Sequence, residues 1–407
     1  MNCRHCKNIL KKTFVDLGFA PPSNSYLNIE DLSKPEKYYP LKIMVCENCW
    51  LVQTEDYAKV DELFSSNYAY FSSTSTSWLK HAENYAKKMI ASSNLDKDSF
   101  VIEVASNDGY LLKNFVALGI PCLGIEPTDS TAIVAEKEGI HVLRDFFTEK
   151  LGKELANKKK KADLIIGNNV FAHVPNINDF TMGLKAALKE SGTITLEFPH
   201  LMRLIKDNQF DTIYHEHFSY LSLYTANRIF QNAGLRIWNV EELSTHGGSL
   251  RIFGCHQKDP RPTLSSVQNL LSRETKFGLQ SHDAYSTFQV KVENIKNNLL
   301  NFLIEQKHLG KNVVAYGAAA KGNTLLNYAG IKSDLISCVY DAAIAKQEKF
   351  LPGSHIPILA PEQLEKSSPD FIIILPWNLR SEIETQLSKM HELGSKFVVA
   401  LPEIESF

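Results

Sequence analysis

The sequence predicts an α/β protein with a small N-terminal zinc-binding domain, a central Rossmann-like domain and a C-terminal Rossmann-like α/β domain. Three observations lead to this fold class: two Cys-x-x-Cys pairs near the N-terminus, a strand-turn-helix pattern that begins at Phe100, and a second such pattern that begins at Val313. At 407 residues the chain is also longer than one ordinary domain. We expect domains at residues 1–75, 76–240 and 241–407.

Charge and hydropathy exclude several classes of protein. The 44 basic and 46 acidic side chains give a formal net charge of -2, so the chain lacks the basic surface of a dedicated nucleic-acid-binding protein. No apolar stretch approaches the roughly 20 residues that a membrane span needs, and the polar start MNCRHCKN lacks a signal peptide's apolar core. We therefore expect a cytoplasmic protein with no nucleic-acid or membrane partner. The sequence does not indicate its oligomeric state.

The N-terminal cysteines form two short knuckles, one at Cys3 and Cys6 and one at Cys46 and Cys49. Each knuckle offers two thiolates to one tetrahedral ion, and a reducing cytosol favours metal ligation over disulfides. Four thiolates leave no open position for water, so we predict a structural Zn²⁺ site. Zinc ribbons also bind nucleic acids, but the intervening segment carries no basic stripe with interleaved aromatics.

The central domain begins with an apolar run at residues 100–105, a polar turn and a helix. A dinucleotide site would need GxGxxG at this turn, and only Gly109 of its three glycines is present. S-adenosylmethionine has no phosphate, so the polar turn suits its amino-acid end, and Glu126 at the end of the next apolar run suits its ribose. Asp145 and Phe146 would flank the adenine, although Phe146 and Phe147 are also compatible with a core role. The predicted cofactor-binding residues are Glu103, Asn107, Asp108, Gly109, Glu126, Pro127, Asp145, Phe146, Asn169 and His173.

Titratable groups are densest in the segment DTIYHEHFSY, residues 211–220. Its histidines lie two positions apart, whereas the zinc motif HExxH places them four apart, so a second metal site is not favoured. The segment instead suggests general-base catalysis by an imidazole, which Glu216 could orient. Tyr68 and Tyr70, upstream of the first central strand, could line a sugar site; a polar loop that caps the following helix is the alternative.

The C-terminal domain repeats the strand-turn-helix pattern at YGAAAKGNT, which narrowly misses a P-loop because Asn323 stands where that motif has lysine. Backbone amides at this helix start, together with Lys321, could bind the diphosphate of a nucleotide-linked ligand. Trp377 and Asn378 follow a later strand end, where ligands collect in such sheets. The predicted substrate-binding residues are Tyr68, Ser249, Tyr316, Lys321, Asn323, Trp377 and Asn378.

Nearly end to end, the chain resembles the sugar C-methyltransferases of nucleotide-deoxysugar biosynthesis, typified by the C-3'-methyltransferases that act on dTDP-linked 4-keto sugars. The motifs that carry the resemblance are CRHC, CENC, YAYFSSTSTS, VIEVASNDGYLL, GIEPT, NNVFAHVP, DTIYHEHFSY, THGGSLR, YGAAAKGNTLLN, PGSHIPI and PWN, in this order. The resemblance implies a SAM methyltransferase domain in the centre and a C-terminal domain that helps to bind the nucleotide sugar.

Residue by residue, the resemblance implies that Cys3, Cys6, Cys46 and Cys49 bind zinc. It also implies that His217 is the catalytic base, that Tyr214 and Glu216 lie nearby, and that Tyr70, or less favourably Tyr68, contacts the sugar. The implied reaction adds a methyl group to C3 of a nucleotide-linked 4-keto-6-deoxy sugar through an enolate.

One segment departs from the family's pattern. After Asp341 the chain reads AAIAKQEKF, where the family is closer to NPxKQG. The nucleotide could therefore be GDP instead of dTDP. Two other functions stay open from the sequence: an NAD-dependent oxidoreductase, and a zinc-ribbon methyltransferase that binds RNA.

Overall fold

The structure is a computed structural model that describes residues 1–55 and 71–407. It contains three sheets, and the α/β fold class predicted from the sequence is confirmed. The four-stranded N-terminal sheet is antiparallel throughout, in the order β1-β2-β3-β9. Its strands are β1 (Lys12–Ala20), β2 (Tyr39–Val45), β3 (Val52–Thr54) and β9 (Ser219–Tyr220). Because β9 follows the HEH segment along the chain, that segment is tied to the N-terminal sheet.

The central sheet has seven strands in the order β10-β11-β8-β7-β4-β5-β6. Strands β4 to β8 pair in parallel, and the central strands β4 and β7 are almost wholly buried, as expected for a sheet covered by helices on both faces. Their bounds are β4 (Val101–Val104), β5 (Cys122–Ile125), β6 (Val142–Leu143), β7 (Ala162–Asn168) and β8 (Leu188–Pro199).

The antiparallel hairpin of β10 (Leu235–Leu243) and β11 (Ser249–His256) completes the central sheet on the β8 side. The usual dinucleotide-binding order, 3-2-1-4-5-6, has no such inserted antiparallel strand. The hairpin also carries the central sheet past residue 240, where the sequence predicted the domain boundary. The predicted domain limits stay a prediction.

The C-terminal sheet has six strands in the order β14-β13-β12-β15-β16-β17, all parallel except the last pair. Its strands are β12 (Val313–Tyr316), β13 (Val339–Tyr340), β14 (Ile358–Leu359), β15 (Phe371–Ile374), β16 (Lys396–Val399) and β17 (Glu405–Ser406).

Helices surround the two parallel sheets. The described helices of the central region are α1 (Thr76–Ser92), α2 (Lys113–Val116), α3 (Asp129–Lys137), α4 (Glu149–Asn157), α5 (Ile177–Ala187), α6 (Leu201–Lys206) and α7 (Leu223–Asn232). Those that follow are α8 (Ser265–Phe277), α9 (Asp283–Ser286), α10 (Phe288–His308), α11 (Ala320–Ala329), α12 (Leu364–Ser367), α13 (Arg380–Gln386) and α14 (Ser388–Glu392). Within residues 1–55 and 71–407, none of the helices is both long and apolar enough to cross a bilayer.

Local sequence explains the two helices that matter most for the site. Helix α1 begins where the Ser75 hydroxyl accepts a hydrogen bond from the backbone N–H of Trp78, which satisfies one of the free amides of the first turn. Helix α11 follows the tight turn at Gly317 (φ 88°), where an added Cβ would lie 2.4 Å from Pro376 Cδ. It ends at Gly330 in the left-handed conformation that commonly terminates helices.

The N-terminal domain packs against both of the other domains. The zinc knuckles share a hydrophobic core with the central sheet, and Cys3, Cys46 and Cys49 are fully buried within it. The opposite part of the N-terminal sheet packs on the C-terminal domain, where Phe14 stacks on Phe288 at 4.5 Å between ring centroids. The N-terminal domain therefore contacts both the central domain and the C-terminal domain.

Candidate active site

A cavity of about 1040 Å³ lies where the three domains meet. The carboxyl ends of β4, β5 and β7 open into it from the central sheet, and the ends of β12 and β15 open into it from the C-terminal sheet. Ligands bind at this edge of open α/β sheets. Its volume is at the upper end of the usual range for one small ligand, about 300–1,000 Å³, so two bound reactants are compatible with it.

The turn after β4 has a fixed and unusual backbone. Ala105, Asn107 and Gly109 all adopt positive φ angles, of 57°, 50° and 79°. Glycine is required at the last position, because a Cβ there would lie 2.3 Å from Ile140 Cδ1. Strained backbone of this kind is often found at ligand sites.

Hydrogen bonds tie this turn to its neighbours. The Asn107 backbone N–H donates to Glu126 Oε2 at 2.9 Å, and the Asn107 side-chain oxygen accepts from the Ser72 backbone N–H at 2.9 Å. Asp108 Oδ2 accepts from the Ser73 backbone N–H at 3.0 Å. The turn therefore anchors the segment that leads into α1.

Seven of the ten predicted cofactor-binding residues line the cavity: Asn107, Glu126, Pro127, Asp145, Phe146, Asn169 and His173. Glu103, at the end of β4, and Asp108 and Gly109, within the turn, do not line the cavity. Glu103 is fully buried, and burial, with the nearby charges of Asp108 and Glu126, raises the pKa of its carboxyl well above the ordinary value. Phe146 is exposed beside the cavity, whereas Phe147 packs in the core.

His217 lies in the cavity wall with one ring nitrogen committed to the backbone. Its Nδ1 lies 2.7 Å from the Thr212 carbonyl oxygen, so Nδ1–H donates and Nε2 keeps its lone pair. Burial, reinforced by His173, lowers the pKa of the His217 imidazole well below its ordinary value. The ring is 4.5 Å from His173 and 4.0 Å from Tyr214, measured between centroids. At neutral pH His217 is therefore an uncharged imidazole with an acceptor nitrogen.

The other residues of the HEH motif have different surroundings. Glu216 lines the cavity, and both of its carboxylate oxygens accept from Asn24 Nδ2 at 2.8 Å. His215 does not line the cavity, and its Nε2 lies 3.3 Å from the Tyr39 carbonyl oxygen. Across residues 1–55 and 71–407, the two histidines belong to no group of metal-ligating side chains.

Two lysines occupy the C-terminal side of the cavity. Lys321 Nζ donates to Asn378 Oδ1 at 2.5 Å and lies 4.8 Å from the centre of the Trp377 ring. Burial lowers the pKa of Lys321, and Asp211 partly offsets the effect. Lys346 Nζ donates to the Ala318 carbonyl oxygen at 2.9 Å. Both lysines line the cavity together with Ala319 and Ala320, at the start of α11.

Several predicted substrate-binding residues lie outside the cavity lining. The Ser249 hydroxyl donates to the Thr245 carbonyl oxygen, Asn323 Nδ2 donates to the Ser23 carbonyl oxygen, and Tyr316 lies in the core of the C-terminal sheet. Trp377 Nε1 donates to Asp211 Oδ2 at 2.7 Å. Lys321 and Asn378 do line the cavity, whereas Tyr68 and Tyr70 fall outside the described residues.

The four N-terminal cysteines converge on one point. Their sulfur atoms all lie within 4.8 Å of one another, and the Cys3–Cys49 and Cys6–Cys46 pairs are each 3.5 Å apart. Four sulfurs about 2.3 Å from a zinc ion form a tetrahedron with edges of about 3.8 Å, so the arrangement fits Zn²⁺. Each knuckle ends in a left-handed residue, Lys7 or Trp50.

Comparisons with known proteins agree with this geometry. Residues 3–64 match the family model described as "Putative zinc binding domain", residues 78–240 match "Methyltransferase domain", and residues 244–402 match "C-methyltransferase C-terminal domain". The chain is 33% identical to C-methyltransferase NovU of Streptomyces niveus, over 98% of this chain and 95% of that protein. The chain belongs to the C-methyltransferase family.

Membership confirms the resemblance stated from the motifs, and this C-methyltransferase uses S-adenosylmethionine as its methyl donor and carries a structural zinc site. Transfer of a methyl group, not of a hydride, also removes the oxidoreductase alternative. Solved structures with similarity include the magnesium protoporphyrin IX methyltransferase of Synechocystis PCC 6803 with bound SAM, at 14% identity and a TM-score of 0.34, which covers 44% of this chain and 79% of that chain. Another is an S-adenosylmethionine-dependent methyltransferase of Clostridium acetobutylicum, at 11% identity and a TM-score of 0.37, which covers 44% and 92%.

The lining of the cavity fits the methyl donor chemically. Asn168, at the end of β7, lines the cavity, is almost fully buried, and has no hydrogen-bond partner for either side-chain atom in the described structure. Buried amides are normally hydrogen-bonded, so this one is available to a polar ligand. The hydroxyl, amino and carboxylate groups of adenosylmethionine are of the required kind.

One side of the cavity of this C-methyltransferase is formed by aromatic and histidine side chains that the sequence did not predict. Trp78 stacks on His81 at 4.9 Å and lies 5.1 Å from His246, and all three residues line the cavity with Tyr110. The available signals were Trp78 and His81 three apart on an amphipathic helix, and His246 in the THGG motif. A helix face of this kind is normally interpreted as core.

Proposed function

We propose that this C-methyltransferase adds a methyl group to C3 of a nucleotide-linked 4-keto-6-deoxy sugar. The observation that carries the proposal is the composition of one cavity, where the cofactor turn at Asn107, the neutral imidazole of His217 and the cationic pair Lys321 and Lys346 come together. Such a reaction needs a methyl donor, a base, and a site that binds the negatively charged nucleotide sugar.

His217 is the proposed base. A ketone at C4 acidifies the hydrogen on C3, and the Nε2 lone pair of His217 takes that proton while its electron pair delocalises to the ketone oxygen. C3 would then take the methyl carbon as the bond between that carbon and the donor sulfur breaks, with the electron pair of the broken bond going to sulfur; the ketone is restored, the demethylated donor leaves, and the proton on His217 is lost to solvent. General-base catalysis by a positioned side chain contributes about 10²–10⁴-fold to rate.

Adenosylmethionine, when bound, supplies the electrophilic methyl group on its sulfonium. Of the chain's own residues, Glu126 would accept hydrogen bonds from the ribose, Asp145 and Phe146 would flank the adenine, and Asn168 and Asn169 would bind polar atoms at the carboxyl end of β7. His173 would close the pocket beside His217. We propose that Glu103, Asp108 and Gly109 serve the cofactor indirectly, by fixing the shape of this turn.

The nucleotide end of the substrate would bind at the C-terminal side of the cavity. Lys321 and Lys346 supply two cationic hydrogen-bond donors. The N-terminus of α11 also favours a negatively charged ligand, because its first backbone N–H groups have no partner within the helix. These are the partners that a diphosphate requires, and they suit dTDP and GDP equally. Tyr70, or else Tyr68, would contact the sugar, as the motif YAYFSS implies.

A panel assay tests this proposal. The protein is incubated with adenosylmethionine and dTDP- or GDP-linked 4-keto-6-deoxy sugars, and mass spectrometry is used to detect the gain of one methylene unit. NMR of the product then identifies the methylated atom. Methylation at C3 of one panel sugar supports the proposal, and methylation at oxygen, or no methylation of any ketosugar, overturns it.

A further inference from the structure

A chain of hydrogen bonds connects the helix at the nucleotide side of the cavity with the carboxylate of Glu216. Asn323, on α11, donates from Nδ2 to the Ser23 carbonyl oxygen at 2.6 Å. The next residue, Asn24, donates from Nδ2 to both carboxylate oxygens of Glu216 at 2.8 Å. Asn323, Ser23 and Glu216 are all almost fully buried.

A second contact joins the same helix to the start of the catalytic segment. The hydroxyl of Thr324 donates to the Ile213 carbonyl oxygen at 2.8 Å, four residues before His217. Two adjacent residues of α11 therefore hold two separate stretches of backbone. Asn323 holds the backbone just before Asn24, and Thr324 holds the backbone that leads into the HEH motif. The first turn of this helix contains Lys321, which lines the cavity.

We propose that Asn323 and Asn24 are positioning residues, which hold the Glu216 carboxylate in place and couple it to the helix that binds the nucleotide end of the substrate; we call this chain of hydrogen bonds from Asn323 through Ser23 and Asn24 to Glu216 the relay. Asn323 lies outside the cavity lining, and Asn24, which does line the cavity, is proposed to act through Glu216. The inference rests on the proposed function insofar as Glu216 and His217 act on the sugar. It assigns to Asn323 a role other than the direct substrate contact expected from the sequence.

The chemistry of the amide makes the relay specific. The Asn24 amide nitrogen donates to both oxygens of the Glu216 carboxylate, and these bonds are charge-assisted and therefore strong. An aspartate at position 24 would place two carboxylates against each other, which raises the pKa of one of them, and the pair binds a shared proton as the pH falls through that raised pKa. The activity of Asn24→Asp should therefore depend on pH in a way that the activity of Asn24→Ala does not.

The experiment uses four variants of the full-length zinc-loaded protein: Asn24→Ala, Asn323→Ala, Asn24→Asp and the control Asn327→Ala. Asn327 lies one turn along the same helix and donates to the Asn323 and Pro352 carbonyl oxygens, and in the described structure its amide donates to neither Ser23 nor Glu216. We expect kcat to fall about 10- to 100-fold in the two relay alanine variants, since small misplacements at a reacting centre have effects of that size. We expect adenosylmethionine affinity to be retained, and the control to keep kcat within about 3-fold.

The pH profile separates positioning from loss of folding. The activity of Asn24→Asp relative to wild type should rise by up to about tenfold for each pH unit lowered, because protonation of the shared site restores a hydrogen bond. The ratio for Asn24→Ala should stay flat. The proposal is overturned if Asn24→Ala and Asn323→Ala keep the kcat of the control. It is also overturned if the activity of Asn24→Asp relative to wild type does not change with pH.

Failure of the proposed function is distinguishable from failure of the relay. If wild-type protein methylates no panel sugar, the substrate proposal fails, and crystal structures of wild type and Asn24→Ala decide the relay alone. A shift of the Glu216 carboxylate by about 1 Å or more supports positioning. An unmoved carboxylate overturns it.

Discussion

His217 Nδ1 lies 2.7 Å from the carbonyl oxygen of Thr212, five residues earlier in the same segment. This short contact determines which ring nitrogen carries the proton, and it leaves Nε2 as the acceptor. A backbone carbonyl is a common partner for a histidine whose other nitrogen does chemistry or binds metal. The local fold of DTIYHEH thus holds His217 in the tautomer that a base requires, before any ligand is present.

Replacement of His217 should separate binding from catalysis. We expect His217→Asn to lower kcat by about 10²–10⁴-fold, because the acceptor nitrogen is lost, while adenosylmethionine affinity stays near that of wild type. Steady-state kinetics and calorimetry measure the two effects. The matched control is His215→Asn, since His215 is equally buried but does not line the cavity. Equal losses in the two variants would remove His217 from the mechanism.

Loss of a lysine at the C-terminal side should weaken binding of the nucleotide sugar. A hydrogen bond to a charged group contributes about 1.5–3 kcal/mol, so Lys321→Ala and Lys346→Ala should each lower kcat/KM for the sugar about 10- to 100-fold. Affinity for adenosylmethionine should not change. The control Lys366→Ala removes an exposed lysine outside the cavity lining. A larger effect on the affinity for adenosylmethionine than on the KM for the sugar would contradict this division of the cavity.

Loss of zinc should affect the catalytic segment as well as the N-terminal domain. Gln53 Nε2 donates to Cys3 Sγ at 3.3 Å, and the backbone of Gln53 pairs with Ser219 in β9, two residues after His217. We expect Cys49→Ser to lower zinc content and thermal stability, because binding of structural zinc contributes directly to folding. Zinc analysis, calorimetry and proteolysis near residue 219 provide the measurements. Cys255→Ser, at a buried cysteine outside the cluster, should retain zinc; retention by Cys49→Ser would refute a four-cysteine site.

Buried imidazoles should make the protein sensitive to acid. Burial lowers the pKa of His246 from 6.5 to about 4. Between those values the unfolded chain binds a proton that the folded chain does not, so this contribution to stability is present above pH 6.5 and is lost as pH falls towards 4. Wild type should therefore lose free energy of unfolding relative to His246→Gln by up to about 1.4 kcal/mol per pH unit in that window. Chemical unfolding at several pH values tests this, and a constant difference would contradict a neutral buried His246.

Local patterns in the sequence predicted the parts of the site that depend on one short segment. The CxxC spacing predicted the zinc cluster, and the apolar runs with polar ends predicted the edge where Asn107, Glu126 and Asn169 meet. Asp108 and Gly109 belong to the same turn, but the backbone angles that direct Asp108 towards Ser73 depend on packing against neighbouring elements. Spacing alone does not encode that direction.

Residues that reach the cavity from distant segments were not predictable in this way. Asn24 meets Glu216 across 192 positions of the chain, and Lys346 joins Lys321 only after the C-terminal sheet has formed. Trp78 and His81 carry the apolar spacing of an ordinary surface helix. Their roles follow from the meeting of three domains, which is a tertiary property.

Exchange of the C3 hydrogen in D₂O tests the central claim most directly. The sugar that wild type methylates is incubated with enzyme and S-adenosylhomocysteine, and NMR measures deuterium at C3. We predict deuterium incorporation with wild type and none above background with His217→Asn, although the variant still binds both ligands. Incorporation at the wild-type rate by the variant, or methylation by wild type without any exchange at C3, would contradict a base-catalysed reaction at this cavity.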